Sequence, residues 1–262
     1  IAFIPIVIPP LLSLFNDLKI DRRLIGLVIG FGLCWPYVLL PYGFGQIFHQ
    51  IIQSGFQKAH HPIEFNMIWK AMLIPSFGYI AGLVIGMFVY RKPREYKQER
   101  LKDNGEEVAE IRPYVLGVTI FAILANGFAG VMNATGDIEK LVSSLTEITN
   151  GHKLITIIAM YIVGLIVTLG IGSSFATIPI IAALFIPLGA SLGLDNMALI
   201  ALVGTAAALG DSGSPASDST LGPTAGLDVD GQHDHIRDTC IPNFIFYNVP
   251  LMIFGTIAAM VL

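Results

Sequence analysis

The sequence predicts an all-α polytopic membrane protein with an internal inverted repeat and two discontinuous helices. The first observation is composition. Hydrophobic residues make up 54% of the 262-residue chain and charged residues 13%, against about 25% charged in soluble domains; mean hydropathy is +0.70. The second is where the charges are missing. Residues 154–194 contain no Asp, Glu, Lys or Arg, and residues 71–90, 113–136 and 239–262 are likewise uncharged. About 20 apolar residues span the roughly 30 Å hydrocarbon core of a bilayer as a helix. The third is a self-match of the chain at one fixed offset.

Eight hydrophobic segments follow in order: 1–17, 24–54, 68–90, 113–133, 154–171, 174–192, 196–226 and 240–262. Segments 24–54 and 196–226 are long and interrupted by Gly, Pro and polar residues, so each reads as a broken helix. The stretch 91–112 carries seven of the fifteen Lys and Arg residues and reads as a solvated linker. Residues 137–150 read as a short amphipathic helix at an interface. The net charge of −4 points to no charged partner, and no basic stripe suggests nucleic acid. Cys34 and Cys240 are too few for a disulfide framework and read as buried thiols. The chain opens at Ile1 inside an apolar segment, without a start methionine or a signal-peptide n-region.

Residues 1–30 align without a gap on residues 175–204. Adding 174 carries Ile4-Pro5-Ile6 onto Ile178-Pro179-Ile180, Asp21 onto Asp195, Gly30 onto Gly204 and Pro41 onto Pro215. Segments one and six are five crossings apart, and an odd separation inverts the second copy. Charge agrees. The first copy's connection carries Lys19, Arg22 and Arg23, whereas its counterpart 192–198 has no Lys or Arg. Positive residues favour the cytoplasmic side, which puts loops 18–23 and 91–112 there. The resulting organisation is 1–90 as the C-terminal part of a first repeat, 91–112 as a cytoplasmic linker, and 113–262 as a second repeat. Because segments 113–133 and 154–171 precede the matched region only in the second copy, repeat logic expects about 60 further residues upstream of Ile1. Inverted repeats are the usual construction of secondary transporters, with sites where broken helices meet near the midplane.

The second break reads Asp-Ser-Gly-Ser-Pro-Ala-Ser-Asp-Ser-Thr from Asp211 to Thr220. Fifteen uncharged residues separate Asp195 from Asp211, about 22 Å of helix at 1.5 Å per residue. That places Asp211 within the membrane or near its inner boundary, where acids are functional candidates. The helix is expected to lose its regular hydrogen bonds at Pro215. Asp211 and Asp218 are the candidates for ion or proton coupling, Asp218 the leading one because it follows the break. Ser212, Ser214, Ser217, Ser219, Thr220 and Thr224 would supply oxygen ligands or substrate hydrogen bonds. The first copy's counterpart contributes Pro36, Pro41, Gly43, Gly45, Gln46 and His49 as lining; Gln46 and His49 stand three apart on one helical face. Trp35, Tyr37, Tyr42 and Phe44 read as filler. Asn126, Asn133, Asn243 and Asn248 read as interhelical hydrogen-bonding groups. The loop 227–238 is dense in Asp and His but fails the calcium-loop pattern, with His233 where Gly is needed; it reads as a gate or a locally hydrogen-bonded loop.

The run Gly210-Asp211-Ser212-Gly213 also fits an intramembrane serine protease with Ser212 as nucleophile. That chemistry needs a histidine base on another membrane helix, and His49 is the only histidine within an apolar segment. A non-transporting membrane partner is a further alternative.

The stretches at 1–12, 41–51 and 210–244 resemble a bacterial Na+/H+ antiporter (NhaC-like) family of the ion transporter superfamily, some of whose members are regarded as amino-acid permeases, histidine among the suggested substrates. The resemblance covers nearly the whole chain. It implies an inner-membrane, Na+- or H+-coupled secondary transporter with an elevator-like or rocking cycle, its site lined by broken helices at about 36–46 and 210–224. No catalytic residue, metal or cofactor is expected beyond transported or coupling Na+ and H+. The expected partners are the lipid bilayer and a small-molecule or cation substrate; a homodimer is compatible with the architecture.

Overall fold

The computed structural model describes residues 3–97 and 152–262 and isolated positions between them. The expected segment 113–133, with Asn126 and Asn133, and the helix at 137–150, isolated positions aside, lie outside the described residues. Among the described residues all regular structure is helical: α1 (Ile4–Asp17), α2 (Arg22–Leu39), α3 (Phe44–Lys58), α4 (Phe65–Ala71), α5 (Leu73–Val89), α6 (Lys153–Ile171), α7 (Ser174–Ser191), α8 (Asn196–Ala208), α9 (Asp218–Leu227) and α10 (His235–Val261). Helices α4 and α5 form one span, Phe65–Val89. That span, α2, α6, α7 and α10 are each long and apolar enough to cross a membrane. The exterior presents Ile6, Val7, Phe88, Ile166 and Ile253, the apolar surface a bilayer would cover. Helix α8 is buried on all sides from Ala198 to Ala208 and forms the central strut.

The 174-residue offset recurs in the helix bounds. Asp17 and Ser191 end α1 and α7; Arg22 and Asn196 begin α2 and α8; Phe44 and Asp218 begin α3 and α9. The starts of α2 and α8 have one cause. Asp21 accepts the Arg23 N–H and Asp195 the Ala198 N–H, both at 2.9 Å, so each acid satisfies a helix-start donor that has no partner within the helix. Packing repeats as well: α1 lies on α9 and α3 on α7, pairings that the offset interchanges.

The breaks differ. Helix α2 continues through Pro36 and stops at Leu40, which is extended (φ −89°, ψ 126°); Pro41 disfavours a helical conformation in the residue before it. The second break does not begin at Pro215 as expected. Helix α8 ends at Ala208, Leu209 is extended, and Gly210 takes φ +91°, a conformation that suits glycine. The Gly210 N–H turns to the Asn248 side-chain oxygen at 3.3 Å instead of a helical carbonyl. A side chain on Gly210 would also press on Leu169 and Leu165 of α6. Tertiary packing thus stops the helix ahead of its proline.

Helices α5 and α10 approach closely where Gly82 faces the Phe246 carbonyl; a Cβ there would collide with that oxygen. Small residues allow such backbone contact in membranes. Gly82→Ala is therefore expected to destabilise the protein by about 1–3 kcal/mol, read as a lowered thermal midpoint in detergent. Gly32→Ala, with open space around the new methyl, should leave that midpoint unchanged.

One end of the bundle is tied by charge. Buried Arg22 makes a bidentate pair with Asp230, both contacts 2.6 Å, and donates to the Leu227 carbonyl at 2.9 Å. Lys19 pairs with Glu95 at 2.6 Å, and Lys97 donates its N–H to Gln232 at 2.8 Å. The loops at 18–21, 91–97 and 228–234 therefore lie together.

Candidate substrate and ion site

The two breaks meet around a cavity of about 450 Å³. Helix α2 contributes Cys34, Pro36 and Tyr37; the first break and α3 add Leu40, Tyr42, Phe44 and Gly45; the start of α7 adds Gly172, Ser173 and Phe175; the second break adds Asp211, Ser217, Asp218 and Ser219.

Asp211 is 6% exposed. Its Oδ2 accepts the Tyr37 hydroxyl at 2.6 Å and the Ser174 hydroxyl at 2.8 Å, and its Oδ1 accepts Ser217 at 2.5 Å. Among the described residues its hydrogen-bond partners are hydroxyls, with no ion pair to Lys, Arg or His. The local chain explains this cage. The turn at Gly210 frees Asp211 from the helix. Ser217 caps α9 by accepting the Ser219 N–H at 3.1 Å, which leaves its own proton for Asp211. Ser219 donates to the Asp211 carbonyl at 3.0 Å and closes the loop. A buried carboxylate without a cationic partner is costly, so the cage suits a carboxylate that exchanges a proton or a cation.

Asp218 is exposed and opens α9 at the same cavity. Helices α3 and α7 also begin there, and neither has a side-chain cap or an acid in its first turn. Their positive dipole ends favour anions, although in α3 the Gly45 and Gln46 N–H groups already bond the Tyr42 and Gly43 carbonyls at 3.0 and 3.2 Å. The cavity thus combines acids, anion-favouring helix starts and aromatic walls from Tyr42, Phe44 and Phe175.

Of the residues expected from sequence, Asp211, Asp218, Ser217, Ser219, Pro36 and Gly45 line the cavity. Four hydroxyls have other uses. Ser212 is buried, its oxygen 3.3 Å from the Tyr79 hydroxyl. Ser214 donates to the Leu169 carbonyl at 2.9 Å, and Thr220 to the Ser214 and Ser217 carbonyls at 2.5 and 2.9 Å. Thr224 turns away to His235 and Thr239. Pro41 and Gly43 shape the first break. Gln46 is exposed while His49 is buried, its Nε2 donating to the Val38 carbonyl at 3.2 Å, so the two do not share a face of the site. Asn248 bonds Gly210, whereas the buried Asn243 amide makes no hydrogen bond among the described residues. The protease alternative finds no support, since the partner of Ser212 is a tyrosine and not a histidine. Sequence reasoning missed Tyr37 and Ser174. For Tyr37 a signal existed: it stands 174 residues before Asp211, the repeat offset itself.

The sequence pattern of the Na+/H+ antiporter family matches residues 114–256. The chain is 42% identical over 322 residues to the protein named "Putative amino acid transporter YuiF" of Bacillus subtilis. It is 44% identical over 319 residues to an uncharacterized membrane protein of Vibrio parahaemolyticus, and 42% over 326 residues to one of Haemophilus influenzae. Each comparison covers all of this chain and 72% of the relative. No solved structure matches. With apolar helices fit to span a bilayer, two helix breaks meeting at a caged carboxylate, and these relatives, the chain belongs to the Na+/H+ antiporter family and is a membrane transporter.

Proposed function

We propose that the protein is a secondary transporter of the inner membrane that couples Na+ or H+ to the movement of an amino-acid zwitterion, with Asp211 as the coupling carboxylate. The observation that carries this reading is the cavity: at about 450 Å³ it exceeds the needs of a bare cation, and it carries recognition for both charges of a zwitterion. The substrate ammonium would face Asp211 and Asp218, its carboxylate the uncapped starts of α3 and α7, and its side chain the aromatic wall. The printed name of the Bacillus subtilis relative supports the same substrate class.

An inverted repeat is part of the proposal. Two copies related by a two-fold axis bring residues near that axis against their own equivalents, and the Tyr37–Asp211 contact is such a pair. The coincident helix bounds support this, and the basic residues of loops 18–23 and 91–97 support a cytoplasmic side.

The test is uptake into liposomes holding the natural protein. Labelled amino acids, histidine included, are expected to accumulate under an imposed Na+ or pH gradient and to stop when it is collapsed. Na+-driven proton movement without uptake of any amino acid would replace this reading with plain antiport.

A further inference from the structure

Four buried side chains outside the cavity form an unbroken polar chain. The Nε2 of His233 lies 2.7 Å from the Thr239 hydroxyl, Thr239 lies 2.9 Å from Thr224, Thr224 lies 2.8 Å from His235 Nδ1, and His235 Nε2 lies 3.0 Å from the Pro215 carbonyl. None is more than 7% exposed. The chain starts in the tied loop 228–234 and ends on the break that carries Asp211. We propose that His233, Thr239, Thr224 and His235 form a one-proton relay between that loop and the break.

The chain has two states, and the geometry is that of the first, in which Thr224 donates to Thr239. A carbonyl only accepts, so His235 Nε2 carries a hydrogen in both. With Thr224 donating to Thr239, the Thr239 proton goes to His233 Nε2 and His233 carries its hydrogen on Nδ1. The free lone pair of Thr224 then accepts from His235 Nδ1–H, and His235 is an imidazolium. In the second state a small rotation of the Thr239 side chain reverses both hydroxyls: His233 Nε2–H donates to Thr239, Thr239 to Thr224, and Thr224 to a neutral His235. The states differ by one proton. A proton arriving at His233 Nδ1 sends the Nε2 hydrogen to Thr239, the Thr239 hydrogen to Thr224 and the Thr224 hydrogen to His235 Nδ1. His233 ends neutral and His235 holds the charge beside Pro215. All four hydrogen bonds of the chain are made in both states, which gives it a resting form at either end of the transfer.

The surroundings suit this. The charged groups near His233 are Asp238, Arg22, Arg94 and Asp21, and those near His235 are Asp234 and Asp228, with the Cys240 sulfur 3.5 Å from the ring. Burial pushes the His233 imidazole down to about 4, so in neutral solution it passes a proton on and does not hold it. Burial disfavours a charge on His235 too, and the Pro215 carbonyl, Asp234 and Asp228 offset part of that cost. The relay takes its purpose from the transport reading, but its geometry stands without it.

The test uses the natural protein in bilayers with 15N-labelled histidine. The His235 ring N–H is expected to exchange with solvent at least about tenfold more slowly in Thr239→Val, the effect of losing a link worth ~1.4 kcal/mol. Thr239→Ser, which keeps the hydroxyl, should stay within about twofold of wild type. Exchange at the wild-type rate in a folded Thr239→Val protein would overturn the relay. A second readout needs no variant: as pH falls, the imidazolium signal should appear at His235 before His233, and the reverse order would equally overturn it. Both report on the rings alone, so failure of solute transport in liposomes would count against the transport reading and leave this result standing.

Discussion

Asp211→Asn is expected to reduce gradient-driven uptake by about 100-fold or more, the consequence of removing a buried interaction worth ~3 kcal/mol, while the protein still inserts and keeps its thermal midpoint. The reasoning starts from the cage. Tyr37, Ser174 and Ser217 are all hydroxyls, and hydroxyls both donate and accept. They can turn to meet an amide, so asparagine fits with the same shape and retained hydrogen bonds. What it lacks is the charge, and with it the ability to take up a cation or a proton. Asp218→Asn is the comparison. Asp218 is exposed, at the first position of α9, where a carboxylate contributes about 0.3–1 kcal/mol through the helix dipole. Its loss should lower uptake by about fivefold or less. Equal losses in the two variants would argue for a shared pair of acids and against Asp211 as the coupling group. Wild-type uptake in Asp211→Asn would remove it from the mechanism.

That ordering reverses the one suggested by sequence, and the reason is local. From the residues alone Asp218 is favoured because Pro215 looks like the end of the helix. The helix instead ends at Ala208, because Gly210 packs on α6 and gives its N–H to Asn248, neither of which is close in sequence. The long apolar helices and the presence of an interruption in each of 24–54 and 196–226 were legible, since hydropathy and Gly and Pro content are properties of one stretch of chain. Asp21 and Asp195, matched in sequence by the offset, turn out to cap α2 and α8. Which hydroxyls face the cavity was not: along Ser212, Ser214, Ser217, Ser219 and Thr220, identical chemistry is directed at the Asp211 carboxylate, at backbone carbonyls or, for Ser212, at Tyr79 by turns that composition does not encode. Tyr37 was read as filler because an aromatic in an apolar run usually is one. His49, by contrast, was named for the site but packs between Phe48 and Phe65.

Asp230→Asn should cost about 3–5 kcal/mol of stability, the penalty for leaving a buried charge without its partner. The side chain of Arg22 is fully buried and that of Asp230 is 7% exposed. Arg22 cannot shed its proton, so asparagine leaves the guanidinium uncompensated beside the Leu227 carbonyl. Replacing both members by methionine should recover more than half of the loss, because an apolar pair carries no desolvation penalty. Thermal unfolding in detergent reads both effects, and a double variant no better than Asp230→Asn would refute the ion-pair account. Lys19→Ala sets the scale: the Lys19–Glu95 pair is 54% and 79% exposed, and exposed pairs are worth about 1 kcal/mol or less. The same pair predicts a pH dependence. Burial alone would raise the Asp230 carboxyl, but the hydrogen bonds and charge of Arg22, with those of Gln232, hold it below its usual value of 3.8. A carboxyl depressed by folding adds stability above its unfolded pKa and loses it as pH falls through the folded one. The wild type should therefore lose this contribution below about pH 4, while Asp230→Asn, with no carboxyl to protonate, should lack that part of the acid loss. If both proteins lose stability equally through that window, the acid sensitivity belongs to other carboxyls and the Arg22–Asp230 pair is not what holds the loops at that end together.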